Sequence, residues 1–253
     1  MKFAKTLIAA SAFAVASLAS AASVTVPSNT AYNGLSFSGS GTLSFSADLL
    51  GALDTGKVTV ANYGSATTVA TKDSDGYYSS VSAAAPITSL TIDSSSMAVL
   101  GAATSGGATQ TAPVLKSVSS GGSLTVTDLN VDLAAKKVYA TLIGGNGVGT
   151  LTNVYLWDIG SITGATSVTG AGTFTTTLSH LSITADGLNK FTQSLGLLTL
   201  GKSALSGVTD FGVITSTIVA KASPVNTIPE PSTYALMGLG LVGMSLVARR
   251  RHK

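Results

Sequence analysis

The chain has 253 residues, of which 45% are hydrophobic and only 10% are charged, with a formal net charge of +3 and no cysteine. Without cysteine there is no disulfide, no thiolate metal site and no cysteine nucleophile. The positive charge sits at the two ends: between them lie eight lysines, ten aspartates and no arginine. The resulting balance of about −2 excludes a basic nucleic-acid surface.

The first 21 residues have the layout of a secretory signal peptide. Lys2 and Lys5 form a charged start, Leu7 to Leu18 is largely apolar, and Ala19-Ser20-Ala21 supplies small residues for cleavage. Cleavage fits after Ala21 or after Ala22. A buried core helix would not account for this charge order at the extreme N-terminus.

Residues 22–221 form the exported domain, and roughly 200 residues suffice for one core or two small ones. Period-two alternation marks strands at Leu35–Phe37, Leu43–Phe45, Val58–Val60, Leu90–Ile92 and Leu124–Val126. It recurs at Val138–Leu142, Val154–Leu156 and Leu181–Ile183, and Val213–Val219 is rich in β-branched residues. Gly, Asn, Asp and Ser clusters separate these runs at short intervals. Many short strands with such turns predict an all-β domain, an antiparallel β-sandwich or a barrel-like fold. The stretch Gly101 to Ala112, rich in Gly, Ala and Thr, either subdivides the domain or forms a mobile loop within it.

One short helix interrupts the strands. Leu188, Phe191 and Leu195 are helically spaced, with Asp186 placed to cap the N-terminus and Gly196 to end the helix.

Several motifs invite a chemical reading. Asp73-Ser-Asp75-Gly76 resembles the start of a calcium loop, but it lacks further carboxylates and the distal glutamate, so a surface turn is the better reading. Gly144-Gly-Asn146-Gly147-Val-Gly149 lies between two predicted strands, where Asn-Gly favours a hairpin. Gly196-Leu-Leu-Thr-Leu-Gly-Lys202-Ser203 matches the phosphate-loop pattern formally. It follows a predicted helix instead of a strand, and the bland reading is a helix stop leading to a strand or turn.

His180 is the sole histidine of the exported domain. In its run it shares a face with Ser182 and Leu178, opposite Leu181 and Ile183, and a solvated side chain is the default reading. One histidine without cysteine makes a zinc site improbable. No Gly-x-Ser-x-Gly elbow accompanies it. Asp128, Asp132, Asp158 and Asp210 would need to converge in space to act as paired carboxylates, and their spacing does not favour it. No catalytic, cofactor-binding or metal residues are therefore assigned, and the domain is expected not to be an enzyme.

The C-terminus carries the most specific signal. Residues 222–228 are a linker. Pro229-Glu230-Pro231 is stiff and extended, because proline fixes φ and lacks a backbone donor. Ser232 to Ala248 is uncharged and mostly apolar, and as a helix it would span ~25 Å, the short end of what crosses a bilayer. Gly238, Gly240 and Gly243 would weaken that helix in water and are tolerated in lipid. Arg249, Arg250 and Arg251, with His252 and Lys253, form a basic stop that stays cytoplasmic by the positive-inside rule.

The tail, residues 229–253, resembles the PEP-CTERM sorting signal of Gram-negative bacteria. The resemblance rests on Pro229-Glu230-Pro231-Ser232-Thr233, the run Gly238 to Gly243, and Arg249-Arg250-Arg251. It implies that an exosortase, a membrane cysteine protease, recognises Pro229, Glu230 and Pro231 and removes the tail. The protein would pause in the inner membrane and then reach the cell surface or an exopolysaccharide matrix, as in biofilm. A plain membrane anchor is the bland alternative.

Two functions follow as expectations. One is an exported, non-enzymatic surface or matrix protein whose Ser/Thr faces meet exopolysaccharide or surface proteins. The other is a secreted module that binds polysaccharide or ice, with Thr173-Phe-Thr-Thr-Thr177 as its densest threonine tract.

Overall fold

The computed structural model describes residues 22–223. The signal peptide, most of the linker, Pro229–Pro231, the apolar run 232–248 and Arg249–Arg251 lie outside the described residues. Among the described residues no helix is long and apolar enough to cross a membrane.

The chain forms thirteen strands and three helices. In order they are β1 (Ser23–Pro27), β2 (Ala31–Tyr32), β3 (Leu35–Phe45), α1 (Ala47–Thr55), β4 (Thr59–Tyr63), β5 (Thr67–Lys72) and β6 (Tyr78–Asp93). Then come β7 (Val99–Thr104), β8 (Gly107–Leu115), β9 (Ser119–Asp132), β10 (Lys137–Gly144), β11 (Gly149–Gly164) and β12 (Gly172–Ile183). Last come α2 (Ala185–Ser194), α3 (Thr199–Ser206) and β13 (Gly212–Ala222). Every predicted strand overlaps one of these, the run Val58–Val60 beginning one residue before β4, and the two runs at Leu35–Phe37 and Leu43–Phe45 belong to the single long strand β3.

All pairings are antiparallel, and the sheet closes on itself. From β6 the ladder runs through β3, β13, β12, β11, β10 and β9, and β7 pairs with both β9 and β6. Eight strands therefore complete a ring, which makes the domain a barrel and not an open sandwich. β4 and β5 are joined by a turn but pair with different strands: β4 extends β8, and β5 pairs with the first half of β6.

The seam depends on Gly106, between β7 and β8. Its φ is +87°, and a Cβ there would meet the Ala66 backbone nitrogen at 2.5 Å. The Gly106 N–H donates to Asp128 Oδ1 at 2.9 Å, and the Asp128 N–H donates to the Gly106 carbonyl at 3.2 Å. Asp128 itself is a left-handed residue at a bulge in β9. The Gly/Ala/Thr stretch 101–112 thus forms parts of β7 and β8 in the wall.

The expectation of one helix is corrected to three. The predicted helix is α2, capped by Thr184 and not by Asp186: the Thr184 hydroxyl accepts from the Gly187 N–H at 3.0 Å. Phe191 and Leu195 are buried, and Gly196 follows the helix with φ +60°. α1 went unpredicted although Leu49, Leu50 and Leu53 share its inner face and Ser46 caps it. α3 contains Gly201, Lys202 and Ser203, so the expected strand or turn is instead a helix. It lies against the β8–β9 turn, where a Cβ on Gly201 would meet the Val118 carbonyl at 2.3 Å.

The three helices cover one end of the ring. There the core is Leu49, Leu53, Trp157, Phe191, Phe211 and their neighbours, with Phe191 and Phe211 edge to face at 6.1 Å. A second apolar cluster, including Phe37, Leu90, Ile92 and Ile218, fills the other end.

Candidate functional site

The outer wall of β3, β13, β12 and β11 carries cross-strand rows of serine and threonine. Inward positions on these strands are apolar or enclosed: Phe37, Leu178, Ile214 and Ile218 are buried. The alternate positions therefore face out. In register, Thr42 on β3 pairs with Thr215 on β13, Thr215 with Thr177 on β12, and Thr177 with Thr163 on β11. A second row runs Ser40, Thr217 and Thr175, and a third Ser38, Val219 and Thr173. Neighbouring hydroxyls in a row stand one strand apart, roughly 4.8 Å, and rows are roughly 7 Å apart. None of the three rows contains a charged side chain.

Sequence reading found only the β12 part, Thr173 to Thr177. Thr42, Thr163 and Thr215 were missed because their rows exist only across strands far apart in the chain. The alternation at Val213–Val219 and around Leu43 was the available signal, since it places alternate hydroxyls on one face.

The remaining candidates separate cleanly. Asp73 Oδ1 accepts from the Asp75 N–H at 3.0 Å and the Tyr77 N–H at 2.9 Å, which closes the β5–β6 turn. Asn146 and Gly147 have φ of +51° and +82° in the β10–β11 hairpin. The Asn146 amide donates to the carbonyls of Gly121 and Ser194, which ties this hairpin to α2.

His180, in β12, has a left-handed backbone with φ +57°. This left-handed residue lets Leu178 and Leu181 both turn inward while His180 faces solvent, with the register against β11 unchanged, which resolves the shared face read from the sequence. Its Nδ1 lies 3.3 Å from Asp210 Oδ2, and the imidazole is 74% exposed. The Asp210 carboxylate also accepts from the N–H groups of Leu181 and Gly212. The nearby Ser46 hydroxyl donates to the Asp210 carbonyl and accepts from the Leu49 N–H at 3.1 Å. That serine is engaged in capping α1.

The four aspartates do not converge. Asp128 holds the β7–β8 junction, and Asp210 belongs to the His180 corner. Asp132 and Asp158 flank Lys137 from the two neighbouring strands, roughly 10 Å apart on the outer wall. Asp132 caps its turn by accepting from the Ala135 N–H at 2.8 Å, and Asp158 accepts from the Tyr155 hydroxyl. That bond, with help from burial, pushes the Tyr155 phenol up to about 12. Among the described residues no group of three or more His, Asp or Glu side chains is placed to hold a metal ion.

Residues 227–251 match the family model described as the PEP-CTERM protein-sorting motif. No curated protein and no solved structure matches the chain. The match spans the proline–glutamate–proline sequence, the apolar run and the arginines, so it covers each part of the tail on which the resemblance rested.

Proposed function

We propose, from the premise that this chain carries a PEP-CTERM sorting motif and is an exported protein sorted at the membrane by an exosortase, that its barrel serves outside the cell as a non-enzymatic matrix protein. The apolar run 232–248 halts in the inner membrane with Arg249–Arg251 on the cytoplasmic side. The exosortase cuts near Pro229–Glu230–Pro231, and the barrel passes to the surface or to an exopolysaccharide matrix.

The match at residues 227–251 is the observation that carries this reading. Two features of the barrel support the matrix role. Its outer hydroxyl rows offer many uncharged donors and acceptors, which suits a polyhydroxylated polymer. Its aspartates serve their own turns, bulges and neighbouring side chains, as with Asp73, Asp128, Asp132 and Asp158. Ice binding would draw on the same threonine rows. A flat array suits an ice plane, however, and a closed eight-stranded wall is curved, so polysaccharide is the preferred ligand.

Cell fractionation tests the route. Wild-type protein is expected to lose its tail and leave the inner membrane. A triple variant, Pro229→Ala, Glu230→Ala and Pro231→Ala, is expected to stay there at full length. Equal processing of the two proteins would reject exosortase sorting through this motif.

A further inference from the structure

The exported domain has no cysteine, so no disulfide can hold its wall in an oxidising compartment. Two tyrosines stand where another oxidative link can form. Tyr139 on β10 and Tyr155 on β11 are directly opposite in register. Val138 and Ala140 on one strand and Leu156 on the other are buried, so both tyrosine side chains face out together. Their ring centroids are 5.6 Å apart and their planes are tilted by 40°. Among the described residues this is the one contact between two tyrosine rings.

We propose that Tyr139 and Tyr155 are a site of oxidative coupling, joined after export by a carbon–carbon bond between their ortho ring carbons. Rings joined in this way have centroids about one carbon–carbon bond length closer than those seen here, so a small swing of the two side chains suffices. The bond ties β10 to β11 and closes the loop through their hairpin, which constrains the unfolded chain as a disulfide does.

The surroundings favour this chemistry at Tyr155. A phenol gives up an electron readily only when its proton leaves as well. The Tyr155 hydroxyl donates to the Asp158 carboxylate, which is thus in place to take that proton. Lys137 Nζ lies 4.4 Å from the centroid of the Tyr155 ring, where its charge opposes loss of an electron alone. The bond to Asp158, with help from burial, holds the phenol up at about 12, so little phenolate forms at neutral pH. Electron and proton therefore leave together. The oxidant is hydrogen peroxide turned over by a haem peroxidase. Each phenol loses one electron and one proton, and the two phenoxyl radicals combine at ortho carbons. Each ortho C–H proton then moves to the phenol oxygen, which restores both rings and both hydroxyls. The electrons and protons released reduce one peroxide to two waters.

The full chain, purified in detergent micelles, is treated at low concentration with hydrogen peroxide and a haem peroxidase. The expected product is a monomer lighter by two hydrogens, with the blue emission of coupled tyrosine. Chymotrypsin, which cuts at the intervening Leu142 and Leu151, is expected to leave the peptides bearing Tyr139 and Tyr155 joined. Tyr139→Phe removes one phenol with little change of shape and is expected to abolish the monomer emission. Tyr77→Phe, at an exposed tyrosine outside the pair, is expected to leave it unchanged. Asp158→Asn keeps both rings and is expected to slow the coupling by about tenfold. The coupled monomer is expected to unfold at a higher urea concentration than the untreated chain.

Coupled dimers in place of a coupled monomer would overturn the proposal. So would equal monomer emission from Tyr139→Phe. The reaction does not depend on tail processing, so its outcome is separate from that of the fractionation.

Discussion

Tyr155 shows how a single contact on the barrel wall sets local chemistry. Its hydroxyl donates to Asp158, and its ring lies 5.6 Å from that of Tyr139. Ionising the phenol would break the hydrogen bond and put two negative charges together, so the neutral form is favoured and its pKa rises to about 12. The sign follows from linkage. The contribution to stability is complete below the unfolded value near 10 and is lost as pH rises through about 12. Asp158→Asn is expected to bring the phenol back toward 10, as read from the Tyr155 ring carbon by NMR titration. Asp93 shows the opposite case at the β6–β7 turn. The Ser95 hydroxyl and the N–H groups of Ser96 and Ser95 hold its carboxylate down to about 2.

The helices are held by their first turns more than by their length. α1 has nine residues, too few to persist alone in water. It is fixed by Leu49, Leu50 and Leu53 beneath it and by Ser46 at its start. Ser46 also reaches the Asp210 carbonyl, so one hydroxyl joins α1 to the turn before β13. Ser46→Ala is expected to cost about 1–2 kcal/mol, seen as a lower urea midpoint with an unchanged slope. Ser46→Thr is expected to restore most of the loss. Strands, by contrast, are bent by their bulges. Asp128, at a bulge in β9, and His180, in β12 without a change of register, are each left-handed, and the alternation resumes shifted by one position after each. A strict period of two therefore places buried Leu178 on the outward face of His180, and the sequence pattern marked β3, β4, β6 and β9 to β13 while β1, β2, β5, β7 and β8 went unread.

The closed ring joins both apolar clusters through shared strands. β6 and β13 each contribute buried residues to both ends, and β3 contributes half-buried Leu43 and Phe45 to one and buried Phe37 to the other. Neither cluster can come apart without breaking ladders that support the other, which favours a single cooperative transition. Thermal unfolding followed by Trp157 emission and by far-ultraviolet circular dichroism is expected to give coincident curves. A separated pair of midpoints would show two independent units. The same closure brings the hydroxyl rows onto one outer wall, so that candidate surface depends on ring formation.

The sorting tail was readable in the sequence because membrane and protease recognise a linear order: a stiff acidic tripeptide, an apolar run and a basic stop. The β character was equally readable, since alternation is local, and α2 announced itself by its helical spacing. Closure was not, because β7 reaches β6 and β9 through pairings that no local pattern encodes. The four-threonine row depended on the same long-range register. Thr42 and Thr215 lie far apart in the chain, and Gly101 to Ala112 looked like a linker until its pairings with β6 and β9 set it in the barrel wall. What a residue faces across a sheet is settled by which strands meet, and only the folded ring determines that.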